Sequence, residues 1–334
     1  MKQVFGDLIA NMKNRKIMVI GDMVADSYLE GQISRISREA PVLILEHVGE
    51  RVVPGGAANA VHNAATLLGQ VYAVGVVGAD SAGNLLRQKL QQVAVHTEGL
   101  IIDKERPTIS KQRIMAGGLA TVRQQVVRID RENKEPISAA TEQQLLDYIQ
   151  SVIATMDVVV ISDYGSQTVT EGMKKTIIDL CNNKAIPCMV DSRYAILSYP
   201  GITLVKQNES EAAAALAIPS WTVAEFRDAG QELVHRLNAQ AVLITQGAEG
   251  MTLFENSGTV THIPVSNKSE VYDVSGAGDT VVVTMMLAIA AGADYPTAAK
   301  IAYFAAGVVV RKSGTATTNP LELTAAIGAY HETH

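Results

Sequence analysis

Cysteine, aromatic residues and positive charge are all scarce in this chain, and each scarcity closes off a class of function. Cys181 and Cys188 are the only cysteines among 334 residues, too few for a disulfide scaffold or a zinc framework and in keeping with a reducing, cytoplasmic compartment. Phe, Trp and Tyr make up 4% of the chain, which leaves few platforms for stacking single-stranded bases. Acidic residues outnumber basic ones, for a formal net charge of −6, so phosphate neutralisation along a nucleic acid is excluded as a mode of binding. Long apolar runs are missing too: Val281 to Ala293 is too short for a bilayer and reads as a buried helix, which predicts no membrane partner. Met1 to Lys16 carries Asp7 and no apolar h-region, which predicts no signal peptide. The histidines, His331 and His334 included, fall into no metal-ligand spacing. What is abundant is apolar material, 47% of the chain, enough for a sizeable core.

Short apolar runs closing on turn signals predict strands at Lys16 to Asp22, Val71 to Val77, Val158 to Ser162, Ile186 to Val190, Gly201 to Val205 and Ala241 to Thr245. Between them, helical spacing covers Ala57 to Leu68, Asp80 to Val93, Thr141 to Thr155, Thr170 to Asn182, Glu209 to Leu216 and Val223 to Leu237. Alternation of this kind predicts an α/β fold: a doubly wound, mainly parallel sheet with helices on both faces. Two β-rich stretches, Ser27 to Val53 and Pro107 to Asp130, have no helix of their own and flank a complete βαβ unit. They are expected to leave the main sheet and pair with each other as a small lid on a single domain spanning 1–334; extra edge strands are the plain alternative.

The most informative segment is Glu270-Val-Tyr-Asp-Val-Ser-Gly-Ala-Gly-Asp-Thr280, which runs straight into the apolar helix Val281 to Ala290. Ser275 is a natural N-cap, which puts Gly276, Ala277, Gly278 and Asp279 in the first turn. Each glycine inside a helix costs ~1 kcal/mol relative to alanine. A helix needing only a firm start would place Glu or Gln where Gly278 stands. Bare backbone N–H groups at a helix start form an anion site instead, and Asp279 sets a carboxylate beside it. Phosphoryl transfer to a hydroxyl needs that pair: donors for the migrating charge and an acceptor for the proton. Close packing on a strand is the plain alternative. A second cluster, Pro54-Gly-Gly-Ala-Ala-Asn59, also opens a helix; there Gly55 and Gly56 let a ligand approach the backbone, and Asn59 donates and accepts. Neither cluster is a Walker A loop, and Val281 occupies the place of the third glycine of a dinucleotide fingerprint.

Gly55-Gly56-Ala57-Ala58-Asn59 and Asp273-Val-Ser-Gly-Ala-Gly-Asp279, some two hundred residues apart, together resemble the two signatures of the ribokinase-like (phosphofructokinase B type) sugar kinases. The resemblance covers essentially the whole chain. It implies a β-lidded α/β fold, ATP as phosphoryl donor and Mg²⁺ as helper, and leaves a monovalent cation open as a further cofactor. It also implies that Asp279 is the base that deprotonates the sugar hydroxyl, with Gly276, Ala277 and Gly278 as the anion hole. Asn208, Glu209, Ser210 and Glu211 resemble the Asn-x-x-Glu element that organises Mg²⁺ and phosphates, Glu211 reaching the metal through water; an ordinary capped helix start is the plain alternative. Thr245, Gly247 and Gly250 resemble the nucleotide-side turn, with both glycines leaving room for ATP. In Gly21-Asp-Met-Val-Ala-Asp26, Asp26 best fits the carboxylate that holds the sugar hydroxyls, with Asp22 close enough to share the task.

Within that family, Arg35-Ile-Ser-Arg-Glu-Ala-Pro41, Thr108-Ile-Ser-Lys-Gln-Arg113, Gln124-Gln-Val-Val-Arg-Ile-Asp130 and Ser162-Asp-Tyr-Gly165 are similar to the kinase half of ADP-heptose synthases. The implied reaction phosphorylates the anomeric hydroxyl of a heptose 7-phosphate; another sugar kinase activity and a non-catalytic nucleotide-binding protein are the alternatives. A phosphorylated substrate would account for a cationic lid in an acidic protein. Arg35, Arg38, Lys111, Arg113, Arg123 and Arg128 are candidates for its phosphate, and Lys111 and Arg113, alternating onto one face of a strand, are preferred. Ser166, Asp191-Ser192-Arg193 and Lys206-Gln207 depart from the family pattern. The resemblance further implies a separate nucleotidyltransferase acting downstream, and exposed lid edges suggest a homodimer.

Overall fold

The first strand, β1 (Lys16–Gly21), feeds two cores at once. Ile17 and Val19 belong to one apolar layer and Met18 and Ile20 to the other, the alternation required of a strand buried on both faces. The computed structural model describes residues 2–117, 124–265 and 271–333. The remaining strands are β2 (Met23–Ile36), β3 (Leu43–Gly56), β4 (Gln70–Gly78), β5 (His96–Asp103), β6 (Ile109–Gly117), β7 (Gln124–Arg131), β8 (Val158–Asp163), β9 (Cys188–Ser192), β10 (Leu204–Asn208), β11 (Ala241–Thr245), β12 (Met251–Glu255) and β13 (Val260–Ile263). The helices are α1 (Lys2–Met12), α2 (Ala57–Thr66), α3 (Ser81–Gln92), α4 (Ala139–Val152), α5 (Glu171–Asn183), α6 (Glu209–Ala215), α7 (Val223–Leu237), α8 (Ala277–Ala290), α9 (Tyr295–Val309) and α10 (Pro320–Thr333).

Among the described residues the main sheet has the order β13-β12-β11-β10-β9-β8-β1-β4-β5. Strands β1, β4, β5 and β8 to β11 run parallel, while β12 and β13 add an antiparallel margin. One face is covered by α1, α2, α3, α8, α9 and α10, and the other by α4 to α7. The α/β expectation therefore holds. The six strands read from the sequence are all present, although Gly201 sits in a turn (φ 82°) and the strand expected there starts at Leu204. Helix α8 is apolar all round because it lies inside the molecule, with Thr280 to Ala288 all buried.

The two β-rich stretches do leave the main sheet. They form a second sheet in the order β3-β2-β6-β7, with β2 parallel to β6 and both outer pairs antiparallel. The amino-terminal part of β2, Met23 to Ser27, is buried against the body, whereas β7 is exposed along its length. The second sheet thus springs from the carboxyl end of β1, the sheet edge at which α/β folds place their ligands. No helix among the described residues is long and apolar enough to cross a membrane.

Candidate active site

Parallel strands end together, so β1, β8, β9, β10 and β11 present Asp22, Asp163, Asp191, Asn208 and Thr245 along one edge of the sheet. Helix α8 starts above that edge. Its first turn differs from the expected one: Gly276, not Ser275, is the N-cap, in the left-handed region at φ 80°. A Cβ at Gly276 would stand 2.5 Å from Asn59 Nδ2, so the absent side chain also makes room for Asn59. Ser275 instead donates its backbone N–H to Asp273 Oδ1, and Asp273 also accepts from the backbone N–H of Gly314.

Asp279 follows in the first turn and is buried. Asn59 Nδ2 donates to its Oδ2 at 2.7 Å, and the Tyr164 hydroxyl donates to its Oδ1 at 2.9 Å. Asn59 is fixed in turn, since Asn63 Nδ2 donates to Asn59 Oδ1 and Thr280 Oγ1 donates to Asn63 Oδ1. Lys206 reaches the other side of the corner. Its Nζ donates to Asp191 Oδ2 at 2.9 Å and lies 2.7 Å from where a Cβ on Gly278 would be. Gly278 is therefore bare because an ammonium occupies the space beside it. Burial pushes the Asp279 carboxyl up; Asn59, Tyr164 and Lys206 pull it back while Asp191 adds to the rise, and it settles at about 6. Burial works against the Lys206 ammonium, but Asp191 and Glu211 outweigh it and hold the group above its ordinary value.

On the nucleotide side, Asn208 and Glu211 close a full capping box, with Asn208 Oδ1 accepting from the Glu211 N–H and Glu211 Oε2 accepting from the Asn208 N–H. The plain reading of this element is thus realised, and one Glu211 oxygen is committed. Glu209 and Ser210 supply the first turn of α6. Gly247 has φ 54° and open space before it, whereas a Cβ at Gly250 would run into the Ile263 carbonyl oxygen. Gly250 is therefore a packing glycine against β13 and does not make room for ATP. Thr245 closes β11, its hydroxyl 3.4 Å from Gln207 O.

The sugar-side expectations separate. Asp22 is fully buried, and its carboxylate accepts the backbone N–H groups of Tyr164, Ser166 and Thr168. It shapes the loop after β8 and is closed to a sugar, which corrects the shared task expected of it. Asp26 accepts from Arg113 Nη1 at 2.6 Å, and Gly55 is bare because a Cβ there would run into Asp26 Oδ2. Gly56, at φ 53°, turns the chain from β3 into α2. Lys111 lies opposite Asp26 in the sheet register, and Arg113 lies opposite Tyr28. Arg51 and Arg113 both stack on the Tyr28 ring, 4.1 and 5.3 Å from its centroid. Arg35, Arg38 and Arg128 are exposed, and Arg128 pairs with Asp130; Arg123 lies outside the described residues.

A family model described as pfkB family carbohydrate kinase matches residues 14–322. The chain belongs to the pfkB family. That family is one of carbohydrate kinases. This pfkB kinase is 41% identical over 318 residues to the bifunctional protein HldE of Gluconobacter oxydans, covering 95% of the chain and 65% of that protein. It is 39% identical over 311 residues to the HldE protein of Desulfatibacillum aliphaticivorans, covering 93% and 62%. The chain thus spans about two thirds or less of the length of these relatives. Its fold matches phosphofructokinase-2 of Escherichia coli in complex with potassium (TM-score 0.76, 19% identity, 96% of this chain and 99% of that one). It also matches Arabidopsis thaliana ribokinase complexed with ribose and ATP (TM-score 0.72, 17% identity, 94% and 99%).

Three residues of the pfkB kinase site received no role from the sequence: Tyr164, Asp191 and Lys206. Lys206 had a readable signal, being a lysine inside the buried strand Leu204-Val-Lys-Gln-Asn208. The cap geometry makes a test of its own. Gly276→Ala should cost about 1–2 kcal/mol for the left-handed backbone. It should also cut turnover by roughly tenfold or more, about the energy of a hydrogen bond to a charged group, because the new methyl displaces Asn59 from Asp279. Chemical denaturation and steady-state assay of one preparation measure both, and unaltered turnover would dissociate the cap from the chemistry.

Proposed function

We propose that this kinase transfers the γ-phosphoryl group of ATP to the anomeric hydroxyl of D-glycero-β-D-manno-heptose 7-phosphate, giving the 1,7-bisphosphate. The observation that carries the transfer step is the Asp279 carboxylate, held between Asn59 and Tyr164 at the start of α8 and flanked by the Lys206 ammonium. In this mechanism Asp279 accepts the hydroxyl proton, while the N–H groups at the start of α8 and the Lys206 ammonium face the charge of the migrating group. Among the described residues no three His, Cys, Asp or Glu side chains cluster as a cage for a cation. What the chain offers Mg²⁺ is the second oxygen of Glu211, a single carboxylate of the kind that suits an ion held mostly by water and phosphate oxygens. When bound there, the ion supplies charge neutralisation at the phosphates.

The heptose assignment rests on the likeness to HldE proteins and on the cations of the second sheet. Arg113 pairs with Asp26, Lys111 lies opposite Asp26 in the sheet register and Arg51 stacks on Tyr28, which supports a carboxylate for hydroxyls beside cations for a phosphate. Burial works against the Arg113 guanidinium, but Asp26 outweighs it, and the residue stays charged. A homodimer through the second sheet belongs to the same proposal, supported by the exposed apolar side chains of Ile36, Leu43, Val127 and Ile129.

ADP release across a panel of phosphorylated and unphosphorylated heptoses and hexoses tests the assignment. The heptose 7-phosphate should be preferred, and Arg113→Gln should raise its KM by about tenfold or more while leaving the KM for ATP unchanged. Stimulation by unphosphorylated sugars alone would move the proposal to a different sugar kinase activity, with Arg113 serving only to hold Asp26.

A further inference from the structure

We propose that Tyr164 is a positioning residue for phosphoryl transfer, holding the Asp279 carboxylate through its hydroxyl, and that the Ser166–Glu132 hydrogen bond ties this contact to the exit of the second sheet. The inference rests on Asp279 being the base. The loop from Asp163 to Thr168 is built to place one hydroxyl. Asp22 accepts the N–H groups of Tyr164 at 2.8 Å, Ser166 at 3.1 Å and Thr168 at 3.3 Å. Asp163 accepts the N–H of Gly165 through Oδ1, and through Oδ2 it accepts the hydroxyls of Ser192 and Tyr199. Gly165, at φ 82°, turns the chain under the Tyr194 ring, which lies 2.8 Å from the place of a Cβ. Two buried carboxylates and a left-handed glycine therefore fix the backbone on both sides of Tyr164.

The second link leads outward. Ser166 Oγ donates to Glu132 Oε1, and Glu132 directly follows β7, the outer strand of the second sheet. Arg106 Nη2 lies 3.5 Å from the Ser166 carbonyl and donates to Asn133 O at 3.1 Å. A displacement of the chain leaving β7 thus pulls on Ser166, two residues from the phenol that contacts the base.

Four elements face Asp279: α2 through Asn59, the loop after β8 through Tyr164, β9 through Asp191 and β10 through Lys206. Burial, with Asp279 and Asp191 nearby, holds the Tyr164 phenol well above its ordinary value, so it stays protonated and donates. Its donation favours the charged carboxylate, and removing it makes Asp279 harder to ionise.

Tyr164→Phe, Ser166→Ala, Glu132→Gln and Asp279→Asn should be assayed for kcat, KM for ATP and the pH profile of kcat/KM, with thermal melting alongside. Tyr164→Phe should lower kcat about tenfold, the effect of one hydrogen bond to a charged group. The KM for ATP should stay within about twofold and the acid limb should move up by roughly one pH unit. Ser166→Ala and Glu132→Gln should move the limb the same way by a smaller amount. Retained turnover in Asp279→Asn would remove the base reading itself. An inactive Asp279→Asn beside a Tyr164→Phe with parental kcat and acid limb would overturn the role of Tyr164 alone, as would a Tyr164→Phe that lowers only the melting temperature. Should Tyr164→Phe fail to fold, Glu132→Gln, which leaves every site residue in place, carries the test. A limb left unmoved by Ser166→Ala and Glu132→Gln overturns the link to the second sheet.

Discussion

Replacing Asp279 with asparagine should give a protein that still binds ATP, turns over at least ~10²-fold more slowly, and is more stable than its parent at neutral pH. The loss of turnover follows from removing the carboxylate that Asn59 and Tyr164 jointly hold at the corner. The gain in stability follows from the same burial. The Asp279 carboxyl is raised from 3.8 to about 6 in the folded protein, so folding works against its ionised form. A rise of that size corresponds to a cost of roughly 2–3 kcal/mol. That cost is fully present above the folded value and falls away as pH drops from about 6 through 3.8, below which the side chain is protonated in both states. The parent's kcat/KM should decline with acid over the same interval. The amide accepts from Asn59 and donates to the Tyr164 oxygen without any charge to bury. Urea unfolding of both proteins at several pH values makes the comparison. Curves that coincide at pH 7.5 would refute the strain, and retained turnover would refute the role.

How much of this could be read in advance depended on whether a residue violated a local preference. Gly278 and Asp279 were legible because a helix has no reason of its own to open on bare backbone, and Asn59 because a glycine turn delivers it. Local preference misled where one residue type answers two needs. Ser275 looks like an N-cap, yet the chain enters α8 through a left-handed Gly276 because Asn59 occupies the space of a side chain. Gly250 resembles a ligand-clearing glycine but is dictated by the backbone of β13. Asp22 ends a strand as a ligand-binding carboxylate does, and only the path of the loop after β8 shows its oxygens committed to N–H groups. Strands β5, β12 and β13 were not read, the latter two being short pieces at a sheet margin. Tyr164 was visible only as part of Ser162-Asp-Tyr-Gly165 and received no role, because its partner is 115 residues away and its contact is made by the closing of the fold.

Lys206 is where departure from the family pattern and geometry meet, and Lys206→Met should be nearly as damaging as the change at Asp279. The ammonium is buried, pairs with Asp191 at 2.9 Å, and stands beside the glycine turn where migrating charge is expected. Loss of a preorganised donor at such a place costs about 10²–10³ in kcat. The acid limb should also move up, since Lys206 helps Asp279 to ionise. Stability should fall by roughly 3 kcal/mol, because the part-buried Asp191 carboxylate loses the ammonium it pairs with. A purely structural role and a catalytic one separate in the double variant Lys206→Met with Asp191→Asn. Removing both charges should restore most of the stability while leaving turnover low, because no cation has returned to the corner. Turnover that recovers together with stability would mean that Lys206 serves only to neutralise Asp191. Persistent loss with a restored fold places its charge on the transferred phosphoryl group.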